Sequence, residues 1–243
     1  MAGVGIAIAV ALLLLLGGTT TDGPLAQTGG AGPAMEHRPG GDHNNRSDHR
    51  GYQHSFDSAE TWAKEFDDPA RDAWQKPDEI LDALHLAPTA RIADLGAGTG
   101  YFSVRIAKRI PEGKLFAVDI EPDMLRYLRE RAHRDHLSVL VPILASAESP
   151  NLPEAVDLVL LVDTYHHIDD RITYFAKLRD ALRPNGRLAI VDFKADAPNG
   201  PPPEHRISPE KVTAELAAAG YLPVASHQFL PRQYFLVFQG KAP

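Results

Sequence analysis

Three alternating glycines, Gly96, Gly98 and Gly100, form the strongest chemical signal in the sequence, and Asp94 precedes them by two residues. Glycine has no Cβ, so such a loop can turn sharply and bring its backbone close to a ligand. A dinucleotide-binding loop would have its last glycine at the position of Tyr101, and the carboxylate of Asp94 would repel a pyrophosphate. We therefore predict a cationic or zwitterionic ligand; the alternative, a plain strand-to-helix turn, needs only one glycine.

A second carboxylate, Asp119, ends the next apolar run, nineteen residues after Gly100. In a doubly wound sheet this position lies beside the glycine loop, at the carboxyl edge where ligands bind. A carboxylate there can accept hydrogen bonds from both hydroxyls of a ribose. Taken alone, Asp119 fits equally well as a cap for the helix predicted to begin at Pro122. Its combination with the glycine loop favours the ribose role.

Two adjacent histidines, His166 and His167, follow the fourth predicted strand. A histidine titrates near neutral pH, so either one is a candidate base for a hydroxyl or ammonium nucleophile. Adjacent residues at a strand end point in different directions, so we expect at most one of them to face a substrate. His166 is slightly preferred, and a structural role for both is an equal alternative. Asp192, His205 and Arg206, which follow the fifth strand, are further polar candidates.

Short apolar runs alternate with helical patterns across residues 56–243, which we expect to form one domain. This alternation predicts an α/β fold with a doubly wound, mostly parallel seven-stranded sheet that helices cover on both faces. The last two runs are too close for a parallel crossover, so the final strand should be antiparallel. The predicted strands are 91–95, 114–119, 138–144, 157–162, 187–191, 222–226 and 233–238, and the predicted helices include 58–66, one opening at Pro77, 101–109, 122–134, 171–182 and 208–219.

The composition excludes several classes of function. The 243 residues include 25 basic and 32 acidic ones, for a formal net charge of −7, and the basic residues are interleaved with acids. This pattern argues against a nucleic-acid partner, which requires clustered Lys and Arg. The sequence has no cysteine, so disulfides, thiolate metal sites and a cysteine nucleophile are excluded.

The first 55 residues differ from the rest in composition. Residues 2–18 carry no charge and are nearly all aliphatic at their centre, which predicts a signal peptide or membrane anchor in residues 1–18. Residues 19–55 are rich in Gly, Pro, Asn and His and are predicted to be a disordered linker. We expect an exported or membrane-anchored protein, on a side of the membrane left open, or a cytoplasmic one if residues 2–18 are not a targeting segment. The linker contains four histidines that can bind a metal weakly, although their spacing is not that of a structural site: His37, His43, His49 and His54.

The segment 94–100 and Asp119 resemble the glycine-rich first motif and the ribose acid of the class I S-adenosylmethionine-dependent methyltransferases. The similarity covers about residues 78–238, and four motifs in one order are far more specific than a glycine loop alone. In the small-molecule branch of this family, paired histidines are common after strand four. Three further segments match. Ser146-Ala147-Glu148 follows the third strand, with Ser146 where the family usually has an acidic residue near the adenine amine. Residues 163–170 follow the fourth strand, and residues 182–188 resemble the turn into the fifth strand, where the family usually has Pro-Gly-Gly.

The resemblance implies an enzyme that transfers a methyl group from S-adenosylmethionine to a small molecule, with His166 or His167 as base and no metal. It also implies a helical lid over the site, formed by the segment that contains Trp62, Phe66 and Trp74; a mere packing helix is the alternative. The cofactor contacts that the resemblance implies are Asp94, Gly96, Ala97, Gly98, Gly100, Asp119, Ile120, Ala147, Glu148 and Asp163.

Two other function classes stay open on the sequence alone. A nicotinamide-dependent oxidoreductase would share the sheet and the ribose acid, although the position of Gly100 and the charge of Asp94 argue against it. A noncatalytic ligand-binding or metal-binding module is suggested by the histidines of the linker. The sequence assigns neither the methyl acceptor nor an oligomeric state.

Overall fold

Seven strands form one sheet in the computed structural model, which describes residues 58–240. The predicted leader, residues 1–18, and the predicted linker, residues 19–55, lie outside the described residues. Within residues 58–240, no helix combines the length and the apolar character needed to cross a bilayer. The strands are β1 (Arg91–Leu95), β2 (Lys114–Asp119), β3 (Leu140–Leu144), β4 (Val156–Val162), β5 (Leu182–Phe193), β6 (Tyr221–His227) and β7 (Gln233–Gly240).

The strand order is β3-β2-β1-β4-β5-β7-β6. The first five strands pair in parallel, whereas β7 runs antiparallel to both of its neighbours, β5 and β6. This arrangement confirms the predicted α/β class, the doubly wound and mostly parallel sheet, and the antiparallel final strand. The order reverses at β1, because β2 and β3 lie on one side of it and β4 on the other. Ligands bind at such a switch point in doubly wound folds.

Seven helices flank the sheet within the described residues, and three of them begin with a proline. Proline suits the first helical position because its fixed φ is already helical and its missing N–H would have no partner there. Helix α4 instead follows Gly100, whose φ of +94° ends the glycine loop. The helices are α1 (Ala59–Phe66), α2 (Asp72–Gln75), α3 (Pro77–Ala83), α4 (Tyr101–Arg109), α5 (Pro122–Arg134), α6 (Arg171–Leu178) and α7 (Pro209–Ala218).

Some element bounds differ from the prediction. The strand expected over 138–144 begins at Leu140, and the helix expected over 171–182 ends at Leu178 and continues as a short 3-10 turn. The largest difference is β5, which begins five residues earlier than predicted. Leu182 already pairs with Val156, and the Pro-Asn-Gly segment bulges out of the strand, with Asn185 at a φ of +64°. The predicted turn is therefore a bulge within the strand.

Two apolar layers pack against the two faces of the sheet. Helices α3, α4 and α5 cover one face through residues such as Ile80, Ile106 and Leu128, and α6 and α7 cover the other through Phe175 and Leu216. All five side chains are fully buried. Because both faces are covered, β4 reads as an almost uninterrupted apolar run, as expected for a central parallel strand. The carboxyl ends of β1, β2, β4 and β5 remain at one edge, where the polar candidates lie.

Candidate active site

The glycine loop connects β1 to α4, and its three glycines have positive φ angles: +78° at Gly96, +53° at Gly98 and +94° at Gly100. L-amino acids with a Cβ rarely adopt this conformation, so the alternating glycines allow the loop to form. A Cβ on Gly96 would lie 2.6 Å from Cγ2 of Thr164, and one on Gly98 would lie 3.4 Å from Cδ2 of Phe66. The loop is therefore closely approached by the end of β4 and by α1.

Asp94 is buried between β1 and α4 rather than exposed on the surface of the glycine loop. Its side chain is buried, with 3% exposed, and it accepts a hydrogen bond of 2.6 Å from Oγ of Ser103 in α4. Burial raises the pKa of Asp94 to about 6, partly offset by the Ser103 hydroxyl, and the charge of Asp119 acts in the same direction as burial. Asp94 thus ties the first turn of α4 to β1 and contributes negative charge beneath the loop.

Asp119 joins the loop to the end of β2. One of its carboxylate oxygens accepts the backbone N–H of Gly98 at 2.8 Å, and the other accepts the N–H of Glu121 at 3.0 Å. Burial raises the pKa of Asp119, and these backbone hydrogen bonds partly oppose that rise. The carboxylate therefore contacts the glycine loop and the residue before α5, but it does not cap that helix, because the N-cap of α5 is Glu121; the capping role considered from the sequence is wrong.

The ends of β2 and β3 adjoin each other beside Asp119. Ile120, the next residue, is 54% exposed, which is unusual for a large apolar side chain, and Leu144 at the end of β3 is 51% exposed. The following loop closes on itself, because the N–H of Ser146 donates to the carbonyl of Ser149 at 2.8 Å. In that loop Ala147 and Glu148 are both exposed. These four exposed residues are available to a ligand at this edge.

These residues fit the cofactor that the resemblance implies. A carboxylate offers about four acceptor positions, and Asp119 uses two of them on backbone N–H groups, which leaves capacity for two ribose hydroxyls. The exposed Ile120 directly after it offers an apolar surface to a purine ring. The hydroxyl of Thr99, inside the glycine loop, is buried without a hydrogen-bond partner among the described residues. An unpaired buried hydroxyl at this position is consistent with a binding loop.

Asp163 follows β4 and is enclosed by polar side chains from two other parts of the fold. Its carboxylate accepts hydrogen bonds from Gln75 in α2, at 2.8 Å, and from Gln233 in β7, and Arg71 lies 3.5 Å away. Burial raises the pKa of Asp163 to about 6, and the charge of Arg71 opposes this rise. The structure therefore places Asp163 in a cluster that holds the N-terminal helices against the carboxyl edge of the sheet.

His166 and Asp192 form a buried pair at the ends of β4 and β5. Nδ1 of His166 lies 3.0 Å from both carboxylate oxygens of Asp192, and the backbone N–H of His166 donates to the same carboxylate at 3.3 Å. Burial by itself lowers the pKa of His166, but the hydrogen bond and charge of Asp192, with Asp163 nearby, raise it overall. Both side chains are at most 5% exposed.

The other histidines and Arg206 have different surroundings. His167 is half-buried, and its ring centroid lies 4.2 Å from that of His166. His205 ends a short 3-10 helix, Pro203–His205. Arg206 donates to backbone carbonyls of the loop after β5, including Ala197 at 2.7 Å, so it organises that loop. Of these polar candidates, the structure brings His166, His167 and Asp192 together.

Helix α1 packs against the glycine loop, a position that fits both the lid and the packing helix considered from the sequence. Phe66 contacts Gly98, and the ring of Trp62 stacks on Phe66 with centroids 5.4 Å apart. Arg131 of α5 holds this arrangement, because it donates to both carboxylate oxygens of Asp67 and to the carbonyl of Thr99. The predicted third lid residue, Trp74, packs instead against Phe193 at the end of β5, with centroids 6.0 Å apart.

Several residues of this edge carry no local signal in the sequence. Arg71, Gln75 and Gln233 contact Asp163 from positions 70 to 92 residues away along the chain, and no motif or spacing in the sequence indicates these contacts. Ser103 was also missed, although its place in the first turn after the glycine loop could have suggested a contact with Asp94. Within residues 58–240 no group of three His, Asp or Glu side chains is arranged to hold a metal ion.

Comparison with known proteins gives a consistent family relationship. Residues 92–186 match the family described as "Methyltransferase domain". An uncharacterized methyltransferase of Mycobacterium tuberculosis (strain ATCC 25618 / H37Rv) is 34% identical over 116 residues, which are 48% of this chain and 57% of that protein. A malonyl-[acyl-carrier protein] O-methyltransferase of Methylococcus capsulatus is 36% identical over 111 residues, 45% of this chain and 40% of that protein. The chain thus spans about half the length of the curated relatives that it matches.

The fold has a solved counterpart. The crystal structure of a SAM dependent methyltransferase from Aquifex aeolicus aligns with 74% of this chain and 97% of its own, with a TM-score of 0.69 and 23% identity. The alignment concerns the fold, whereas the family match concerns the sequence that contains the glycine loop, Asp119 and the two histidines. Taken together, the strand order, the glycine loop and the sequence match make the chain similar to the class I S-adenosylmethionine-dependent methyltransferases, with the sequence match covering residues 92–186 and the likeness of fold covering 74% of the chain.

Proposed function

We propose that this chain binds S-adenosylmethionine and transfers its methyl group to a small molecule. The observation that carries the proposal is the contact between Asp119 and the glycine loop. A buried carboxylate at the end of β2 holds the N–H of Gly98 and keeps capacity for a ribose, at the switch point of the sheet. The absence of a glycine at Tyr101 disfavours the nicotinamide alternative.

The roles of the residues follow from their positions. The backbone of Gly96, Ala97, Gly98 and Gly100 would hold the cofactor closely. Asp119 would accept hydrogen bonds from its ribose, and Ile120, Ala147 and Glu148 would hold its base. Asp94 and Asp163 support the loop and the lid from behind while adding negative charge, which favours a sulfonium cation. S-adenosylmethionine supplies the methyl group, and His166 or His167 accepts a proton where the acceptor carries one. In-line positioning of acceptor and methyl carbon supplies much of the rate enhancement.

Calorimetry with the full chain tests the cofactor. We expect saturable binding of S-adenosylmethionine and of S-adenosylhomocysteine, and no saturable binding of NADH in a fluorescence titration. Binding of NADH at micromolar concentration without binding of either adenosyl ligand would contradict the proposal and favour an oxidoreductase. For any variant that removes the carboxylate of Asp119, the matched control is Asp180→Asn. It also removes one negative charge, and Asp180 is exposed just before β5 begins, at the opposite edge of the sheet.

The proposed acceptor is a small molecule rather than a nucleic acid. The net charge of −7 and the pairing of the basic residues of α5 with acids support this choice. Arg126, for example, bonds to Asp123, Glu60 and Glu130. The relative from Methylococcus capsulatus is named as a malonyl-[acyl-carrier protein] O-methyltransferase, which is not a nucleic-acid methyltransferase. In a filter-binding assay we expect no binding of DNA or RNA, at low or at high salt concentration.

We also propose that residues 2–18 direct the chain to a membrane, for anchoring or export. The support is their charge-free, aliphatic sequence. The test is fractionation of intact cells with protease protection, combined with N-terminal sequencing of the mature protein. A full-length product in the soluble cytoplasmic fraction would contradict this proposal and leave the methyltransferase proposal intact.

A further inference from the structure

Trp74 and Arg232 lie next to the two glutamines that hold Asp163. Gln75 and Gln233 donate to the two carboxylate oxygens of Asp163, and Trp74 and Arg232 are their neighbours along the chain. Arg232 directly precedes β7, which runs antiparallel to β5 and therefore begins where β5 ends. Both side chains thus belong to the carboxyl edge of the sheet, where ligands bind in doubly wound folds.

This part of the edge is close to the glycine loop. Gly96 lies against Thr164, which directly follows Asp163 in the chain. Strand β7 is the third strand from β1 in the sheet, so Arg232 lies across the edge at roughly 14 Å from the loop, given the usual spacing of strands. A metabolite-sized molecule can extend over that distance.

The guanidinium of Arg232 is held on an aromatic surface with most of its donors free. Its Cζ lies 5.1 Å from the ring centroid of Trp74, and the Trp74 ring packs against Phe193. Nη1 donates to Oδ1 of Asn199 at 3.1 Å, which is the one hydrogen bond of this guanidinium within residues 58–240. A guanidinium has five N–H donors, so four remain. Arg232 and Trp74 are both half-buried, and a ligand can reach them from solvent.

The surroundings of Arg232 carry further positive charge. Lys194 and Arg206 lie in the loop after β5 and donate to backbone carbonyls. Within residues 58–240, neither of them nor Arg232 forms an ion pair with a carboxylate, and the acids of the same loop, Asp196 and Glu204, are exposed. The arginines of α4 and α5 that face the N-terminal helices, in contrast, each pair with an acid.

The buried acids of the edge have partners of their own. The carboxylate of Asp163 lies 3.5 Å from Arg71, and that of Asp192 lies 3.0 Å from Nδ1 of His166. The charge of Arg232 therefore has no acidic partner in this described part of the chain. Guanidinium groups bind carboxylates and phosphates through two parallel hydrogen bonds, and these anions match the free donors of Arg232.

We propose, resting on the methyltransferase function above, that the acceptor carries an anionic group, a carboxylate or a phosphate, and that Arg232 stacked on Trp74 binds this group. The anion anchors one end of the acceptor at the start of β7, and the atom that receives the methyl group lies nearer the glycine loop. Lys194 and Arg206 add positive charge that attracts such a molecule to this end of the edge. A neutral or cationic analogue lacks the anchor.

Fluorine-19 NMR of the full chain labelled with 5-fluorotryptophan tests the site. The chain has two tryptophans, Trp62 and Trp74, so two signals are expected, and Trp62→Phe assigns them. The probes share one ring: benzoate, phenyl phosphate, benzamide and benzylamine. We expect benzoate or phenyl phosphate to shift the Trp74 signal saturably, with a Kd about tenfold below that of benzamide, and benzylamine to give no saturable shift. The tighter of the two anions distinguishes a carboxylate from a phosphate.

Three variants separate anion binding from a structural role of Arg232. Arg232→Gln should raise the Kd of the anions about tenfold and leave that of benzamide unchanged. Arg232→Lys keeps the charge but loses the planar fork, so it should give an intermediate loss. Asn199→Ala removes the hydrogen bond to the loop and keeps the guanidinium, so the anions should still bind. Arg129→Gln, on the exposed surface of α5, is the control for loss of one positive charge and should leave every Kd unchanged.

Defined outcomes overturn the inference. They are equal affinity for the anions and benzamide, no saturable shift of the Trp74 signal with either anion, or unchanged anion binding in Arg232→Gln. An equal loss in Asn199→Ala and Arg232→Gln would also overturn it, because the order of the loop would then carry the effect. Calorimetry with S-adenosylmethionine on the same preparations tests the proposed function separately. Absence of cofactor binding in the wild type would end the methyltransferase proposal, whereas cofactor binding without a preference for anions would end this inference alone.

Discussion

Gly96 lies directly against the side chain of Thr164, so the first strand's loop and the end of β4 are in van der Waals contact. A Cβ on Gly96 would stand 2.6 Å from Cγ2 of Thr164 and 2.9 Å from its Cβ. Thr164 is in turn fixed by a hydrogen bond of 2.9 Å to the carbonyl of Val162. This contact joins the candidate cofactor loop to the segment that carries the two histidines.

We expect Gly96→Ala to weaken binding of S-adenosylmethionine at least tenfold and to lower the free energy of unfolding by about 2 to 4 kcal/mol. Two causes add: the clash with Thr164 and the φ of +78°, which L-amino acids rarely adopt. Calorimetry and urea denaturation measure the two effects.

The second variant, Gly96→Ala combined with Thr164→Gly, separates the causes. This double variant should recover the part of the free energy of unfolding that the clash removes. A loss of about 1 kcal/mol should remain, because residue 96 still has a left-handed backbone. Equal stability of the single and double variants would show that the contact with Thr164 is unimportant.

Removing the carboxylate of Asp119 should affect cofactor binding strongly. Asp119→Ala should weaken binding of S-adenosylmethionine by about 1 to 3 kcal/mol, because the ribose loses its acceptor and the N–H of Gly98 loses its partner. Asp119→Asn keeps one carbonyl oxygen and should give an intermediate loss. A loss below twofold in Asp119→Ala would contradict the ribose role. Calorimetry measures all three proteins.

Burial of Asp94 should make the stability of the ligand-free chain depend on pH in an unusual direction. Its pKa is about 6 in the folded chain, whereas the ordinary value of 3.8 applies to the unfolded chain. Between these two pH values the folded state therefore binds more protons than the unfolded state. The contribution of Asp94 to the free energy of unfolding therefore falls as pH rises from about 4 to about 6.

Asp94→Asn should remove this dependence and raise stability at neutral pH. Two pKa units correspond to about 3 kcal/mol, which is the upper limit of the gain. Asparagine can still accept the hydrogen bond from Ser103. Urea denaturation at several pH values measures the effect, and an unchanged slope between pH 4 and 6 would contradict it. Asp163, whose pKa is also about 6, should contribute in the same window and remain in the variant.

The hydroxyl of Tyr234 is buried with no hydrogen-bond partner among the residues that the structure describes. We expect Tyr234→Phe to leave the free energy of unfolding unchanged or to raise it by up to about 1 kcal/mol, because an unsatisfied polar group is removed. Tyr221→Phe is the matched control, since the Tyr221 hydroxyl donates to the carbonyl of Phe175 at 3.0 Å. The control should lose about 1 kcal/mol. Thermal and urea denaturation of both variants measure the difference, and a larger loss in Tyr234→Phe than in the control would show that this hydroxyl is satisfied.

The contact between Phe66 and Gly98 should retain the cofactor. Phe66→Ala is expected to raise the Kd for S-adenosylmethionine about tenfold, or 1.4 kcal/mol, by uncovering the loop. Phe66→Leu keeps an apolar side chain over the loop and should lose less. If both variants bind as the wild type does, helix α1 packs on the domain without acting as a lid.

Much of the site edge follows from local sequence signals. The bounds of β1, β2, α4 and α5 agree with the prediction because each apolar run meets a strong breaker, such as Gly96 or Pro122. The position of Asp119 beside the loop follows from parallel topology alone.

Contacts between distant segments had no such signal. The sequence offered His166 and Asp192 as separate candidates, but their pairing depends on the register of β4 and β5 and on the turn Tyr165–His167. The start of β5 at Leu182 could not be predicted, because the Pro-Asn-Gly segment that follows has the composition of a loop. In the structure this segment is a bulge within the strand. Long-range packing overrides local preference in both cases.

Strand β7 comes last along the described chain yet lies between β5 and β6. It has a neighbour on each side along nearly its whole length, and its residues Phe235 and Phe238 are buried in opposite layers of the core. During synthesis, β5 therefore has an unpaired edge until residues 233–240 have left the ribosome. The nascent chain cannot complete its core earlier, and it needs protection from intermolecular strand pairing during that interval.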